Sequence, residues 1–146
     1  MVLTNDYIRG LVEGEGCFSF CNVPLRPGQS EKSRLPTFAL TMNERDKNLV
    51  EAVRRQLGGK NQIYELGPYM NDGHNRRAIV RLMVRDIGTL KNTIVPFFYN
   101  KLHGYKGKQF KEWIEITGKD TNVPKSYKIM WKLHKSGYYS NNPRFD

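Results

Sequence analysis

Three glycines at the end of one amphipathic helix constrain this chain more than any other feature. Residues 4–14 have helical spacing, with Thr4 or Asn5 as a cap and Ile8, Leu11 and Val12 as an apolar stripe. Gly10, Gly14 and Gly16 lie inside or just past that helix, where each interior glycine costs roughly 1 kcal/mol relative to alanine. Gly10 and Gly14 share a face and leave it bare enough for another backbone to approach closely. At the same end Glu13 and Glu15 add negative charge where the helix macrodipole is already negative. A bound cation or a basic partner would offset that repulsion. The segment is suited to close contact and to charge.

The rest of the chain alternates between the two periodicities. Residues 17–25 read as a strand, with Phe18 and Phe20 on one face and Cys17, Ser19 and Cys21 on the other. A polar loop (26–34, turning at Pro27-Gly28) leads to a second strand, 35–42, with Phe38, Leu40 and Met42 opposite Thr37, Ala39 and Thr41. Residues 46–57 have helical spacing and stop at Gly58-Gly59. A third strand (61–66), a turn at 71–73 and a fourth strand (77–84) follow. A helix over 85–95 is expected to end at Pro96. Further helices are expected at about 108–117 and over 126–135, the last short and basic. The order predicts an α+β fold in one domain spanning 1–146, with its core at about 4–117 and a basic helical tail at 118–146.

Charge narrows the partners. Lys and Arg number 24 against 14 acids, a net charge of +10, which favours a polyanion and above all nucleic acid. The sheet face carrying Ser19, Cys21, Thr37, Thr41, Gln62 and Tyr64 is too polar for a second core. An exposed strand face of that kind fits the major groove of DNA. The two cysteines and three histidines show no zinc-ligand spacing, so a reducing compartment is expected and His74, His103 and His134 read as incidental. No apolar run approaches a membrane span and the N-terminus lacks a signal-peptide layout. The expectation is a soluble intracellular protein of a bacterium, an archaeon or an organelle, with no membrane partner.

The segment Ile8-Arg9-Gly10-Leu11-Val12-Glu13-Gly14-Glu15-Gly16 resembles the nine-residue motif of the LAGLIDADG homing endonucleases. Three later segments resemble family landmarks in the same order. They are residues 38–46, a strand entering a helix at Arg45-Asp46; residues 94–98, apolar-Pro-aromatic; and residues 106–110, a basic run before a helix. The match covers about residues 4–117. It implies the family's αββαββα fold, an antiparallel four-stranded saddle-shaped sheet with helices on one face. It also implies an intron-encoded, metal-dependent endonuclease for double-stranded DNA. Its single motif implies a homodimer, joined through the Gly10 and Gly14 face, on a long near-palindromic target.

By place in the motif, Glu15 is the acid delivered to the twofold axis, with the Gly14 carbonyl beside it as a second metal ligand. Glu13 fills the other acidic place and is assigned to structure. Phosphodiester hydrolysis needs an activated water, charge relief at phosphate and help for the leaving oxygen. Mg²⁺ held by paired carboxylates supplies these, with Mn²⁺ as a substitute. Lys106 is the expected basic residue at the phosphate, with Lys101 and Lys108 as rivals and as DNA contacts. Met42 stands where the family often has a glutamine in its water network, which leaves Thr41 or Asn43 to serve instead. Base reading falls to Ser19, Cys21, Arg26, Gln29, Lys32, Arg34, Thr37, Thr41, Gln62, Tyr64, Arg77 and Arg81. Other expectations for the same fold are an RNA maturase that assists intron splicing and a DNA-binding protein that does not cut.

Overall fold

Thr4 caps the first helix, its Oγ1 accepting the Tyr7 N–H at 3.1 Å, and α1 runs over Asn5–Glu15. The chain passes directly into β1 (Gly16–Pro24) and returns along β2 (Lys32–Asn43). The Asn43 side chain accepts the Arg45 N–H and starts a 3-10 turn, Glu44–Asp46, that feeds α2 (Lys47–Gln56). Then come β3 (Ile63–Leu66), β4 (Tyr69–Asn71), β5 (His74–Arg76) and β6 (Ile79–Val84). This computed structural model describes residues 1–24, 28, 32–71, 74–76 and 78–146.

Four strands form one antiparallel sheet in the order β1-β2-β6-β3, while β4 and β5 form a separate small hairpin. The period of two sorts the sheet into faces. Phe18, Phe38, Leu40, Val80, Leu82 and Val84 share one core cluster with Ile8 and Val12 of α1 and with Val50 and Val53 of α2. The helices therefore cover one face, as expected. At its centre the Phe18 ring lies 4.9–5.6 Å from Phe38, Phe98, Phe110 and Trp113. Truncating such a side chain costs about 3–5 kcal/mol.

Pro96 does not end its helix. The chain is α-helical at α3 (Ile87–Thr89), takes a π turn over Leu90–Ile94, and resumes as α4 (Val95–Phe98) with Pro96 in its first turn. Proline is excluded from a helix because it lacks an N–H and crowds the carbonyl four residues back. The wider turn relieves the crowding, since the Val95 N–H reaches back to Leu90. Two backbone carbonyls of that turn take donors from far along the chain: Tyr139 Oη bonds to the Lys91 carbonyl and Arg144 Nη1 to that of Asn92.

The remaining helices are α5 (Tyr105–Lys119), longer than expected at both ends, α6 (Ile129–Lys135), preceded by a 3-10 turn over Lys125–Lys128, and α7 (Tyr138–Asn141). Met130 and Tyr139 belong to the same core cluster as Phe18. Among the described residues no helix is long and apolar enough to cross a membrane.

Candidate functional site

The end of α1 is where the chemistry-bearing residues meet. Gly16 leaves the helix with an N–H bonded to the Val12 carbonyl, and a Cβ there would stand 2.9 Å from that oxygen. Only glycine lets helix turn into strand so tightly. A Cβ at Gly10 or Gly14, by contrast, meets nothing within 4 Å. Both glycines are exposed, so that face of α1 is open.

The two acids have opposite surroundings. Glu13 accepts the backbone N–H groups of His103 (2.5 Å) and Gly104 (3.0 Å), at the N-terminus of α5. Glu15 is exposed and, among the described residues, has no hydrogen bond or ion pair from its side chain. It sits at the negative end of α1, where a bare carboxylate is electrostatically unfavourable without a cation. Lys106, on the first turn of α5, donates from Nζ to the Gly16 carbonyl at 2.7 Å. An ammonium from residue 106 thus stands one residue from Glu15, although the two are far apart in sequence. Lys101 borders a different groove, with Asp6, Arg9, Gly10, Glu13 and His103. Lys108 borders a third, with Asn100 and Lys111. The three lysines are not equivalent.

The open face of the sheet holds much of the expected base-reading set. Thr41 and Arg81 are register partners, and Arg81 Nε donates to Thr41 Oγ1 at 3.0 Å. Tyr64 pairs with Arg81 from the other side and gives its hydroxyl proton to Gln62 Oε1 at 2.8 Å. Ser19 and Cys21 are half-buried, and Lys32 is exposed at the start of β2. Arg26, Gln29 and Arg77 lie outside the described residues.

Two of the expected contacts are engaged within the chain instead of standing free on the open face. Thr37 is only 2 % exposed, and its hydroxyl donates to the Leu35 carbonyl. Arg34 falls on the helix-covered face. It is ion-paired to Asp120 and lies 4.5 Å over the Phe20 ring, and its backbone N–H bonds to Asn122. The alternation explains it: counting back in twos from the buried Phe38 reaches Pro36 and then Arg34. Met42, on that same face, packs against the core. Thr41 and Asn43 are engaged with Arg81 and with the turn into α2.

Three residues carry more than the sequence suggested. Arg85 is exposed and reaches Cys21 Sγ with Nη1 at 3.5 Å. It continues the outward series of Arg81 and Met83, so the same alternation reveals it. Arg9, in the second place of the nine-residue segment, is buried. It bonds to Asp6 and to the carbonyls of Phe97 and Phe145. His134 is not incidental: its ring joins Tyr99 Oη (2.6 Å) and Glu115 Oε1 (3.2 Å). Burial holds its pKa below the usual histidine value. Glu115 is pulled down to about 2, chiefly by its bond from Lys135.

Among the described residues no group of three or more His, Cys, Asp or Glu side chains could hold a metal ion by itself. One chain offers the Glu15 carboxylate and the Gly14 carbonyl of the last helical turn. These hard oxygen donors suit Mg²⁺, which binds through one or two carboxylates and keeps several waters.

The family model for LAGLIDADG endonucleases matches residues 8–117. The crystal structure of a homing endonuclease, I-TnaI, superposes with a TM-score of 0.64 at 25% identity, over 94% of this chain and 88% of that one. The I-SmaMI LAGLIDADG homing endonuclease bound to cleaved DNA has a TM-score of 0.60 at 20% identity, covering 91% of this chain and 43% of that one. The group I intron-encoded homing endonuclease I-CeuI complexed with DNA has a TM-score of 0.58 at 14% identity, covering 94% and 57%. These last two likenesses are of fold alone, and the chain spans about half of each. No curated protein matches it.

Proposed function

The chain belongs to the LAGLIDADG endonuclease family, and from that premise we propose a homodimeric homing endonuclease that cuts a long, near-palindromic double-stranded DNA site using Mg²⁺. The observation that carries the catalytic part is that Lys106 is held on the Gly16 carbonyl, the residue next to the exposed Glu15. A bare carboxylate and a held ammonium, one residue apart at a helix end, match what phosphodiester hydrolysis requires. Mg²⁺ bound by Glu15 and the Gly14 carbonyl would supply charge relief at the phosphate and a more acidic water. Lys106 contributes positive charge toward the phosphate, held by the Gly16 carbonyl. Glu13 keeps the first turn of α5, and so Lys106, against the end of α1.

The homodimer is supported by the open Gly10 and Gly14 face of α1. Two α1 helices packed through their bare faces about a twofold axis would bring two copies of Glu15 together. DNA would lie along the open sheet face, where Arg81, Gln62, Tyr64 and Arg85 meet the groove. The net charge of +10 favours that approach.

The decisive experiment incubates the protein with a randomised palindromic duplex library, with and without Mg²⁺, and sequences the cut ends. A single enriched site cleaved only with metal is the expected result, and Glu15→Gln should still bind that site within about tenfold while failing to cut it. Cleavage by Glu15→Gln at near the parent rate would refute the assignment.

A further inference from the structure

Arg81 is held by one edge of its guanidinium and, among the described residues, makes no hydrogen bond with the other. Nε donates to Thr41 Oγ1 at 3.0 Å, from the neighbouring strand. Tyr64 is its register partner on the other side, with its hydroxyl turned away to Gln62. Val80 and Leu82, on either side of it in sequence, are 1 % exposed in the core, so Arg81 rises from the open face. It is half-buried between its two cross-strand neighbours. Arg9 and Arg34 are paired with Asp6 and Asp120. Arg81, among the described residues, has no carboxylate within ion-pair distance.

With Nε committed to Thr41, the two Nη groups present a fork of parallel N–H donors on a fixed axis. Of the four bases, only guanine offers two adjacent acceptors, O6 and N7, on its major-groove edge. Adenine sets a donor beside its N7 and repels such a fork. Position narrows the inference further. Thr41 lies one residue beyond Leu40, the register partner of Gly16, so the pair stands at the end of the sheet where α1 presents Glu15. Arg81 is two strands from β1, about 10 Å at the usual strand spacing, or about three base pairs at 3.4 Å each.

We propose that Arg81, oriented by Thr41, selects a guanine about three base pairs from the cleaved bonds in each half-site. The proposal rests on the site-specific DNA-cleaving activity above and adds a base identity and its place. Its test is selection from a randomised duplex pool in chelator, so that nothing is cut, followed by sequencing of the bound fraction for the parent, Arg81→Lys, Thr41→Val and Thr41→Ser. The parent should enrich a guanine at two symmetric central positions. Arg81→Lys keeps the charge but not the fork, and Thr41→Val keeps the size but not the acceptor. Each should lower preference for that guanine at least ~10-fold while every other position stays enriched, which a misfolded protein would not show. Thr41→Ser should restore it. If Arg81→Lys keeps the guanine, the contact is to phosphate and the proposal falls. A parent site without the central guanine also overturns it while leaving site-specific recognition intact, and a parent that enriches no sequence overturns both.

Discussion

Two glutamates in one helical turn should respond in opposite ways to the same change. Glu13 accepts N–H groups from His103 and Gly104, and hydrogen bonds to a charged acceptor contribute about 1.5–3 kcal/mol each when measured singly. A carboxylate at the N-terminus of α5 adds about 0.3–1 kcal/mol. The loop is exposed, so water re-solvates both N–H groups after truncation, and the net loss for Glu13→Ala is nearer 2 kcal/mol than the sum. Glu13→Gln keeps an acceptor oxygen and loses the charge, which should cost about 1 kcal/mol. Among the described residues Glu15 has no side-chain partner to lose, so Glu15→Gln should change stability by less than about 0.5 kcal/mol, with removal of charge from the negative helix end acting in the favourable direction. Cleavage should reverse the pattern. Glu15→Gln abolishes it, whereas Glu13→Ala slows it roughly 10–100-fold by loosening Lys106 from the Gly16 carbonyl, with partial recovery in Glu13→Gln. Urea unfolding and single-turnover cleavage measure the two arms. Equal destabilisation by both changes, or Glu13→Ala as stable as the parent, would show that the bonds to α5 do not hold the site together.

Lys106→Met should slow single-turnover cleavage by at least ~100-fold, as for a lost transition-state charge contact, with affinity reduced only by about one phosphate contact. Losses of the same size in Lys101→Met and Lys108→Met would leave Lys106 no special role. Gly10→Arg fills the open face of α1, so sedimentation should show a monomer and cleavage should vanish with Glu15 intact; a monomer cutting both strands would overturn the dimer. Glu115 titrates at about 2 instead of 4.5, so the folded state holds its charge more strongly than the unfolded chain. That stability is full above about pH 4.5 and is lost as pH falls toward 2. Because Lys119 and Lys135 are largely exposed, solvent screening reduces it to about 1 kcal/mol. Glu115→Gln should therefore be less stable than the parent at pH 7 and nearly equal to it at pH 2, read by urea unfolding, and an unchanged gap would refute the network.

What a sequence discloses depends on how far apart the determining atoms lie along the chain. The end of α1 was legible because glycines, acids and the following aromatic strand are contiguous, and each conflicts with local preference unless something external repays it. The strands were legible from alternation, and the same alternation, counted back from Phe38, turns Arg34 away from the open face and, counted on from Arg81, puts Arg85 upon it. Glu13 as a clamp was not legible in detail: its partners are backbone N–H groups about ninety residues on, and backbone donors leave no mark in a side-chain pattern. Pro96 shows the limit most clearly. A proline rule written for an α-turn places a helix end there, yet the chain takes a wider turn and continues to Phe98. That turn is served by Tyr139 and Arg144, which come from the segment beyond the family match. Local rules describe the cost of a residue, and only the folded chain shows which distant group offsets it. The same segment also contacts Arg9, within the nine-residue segment itself, so the tail bears on the helix that presents Glu15.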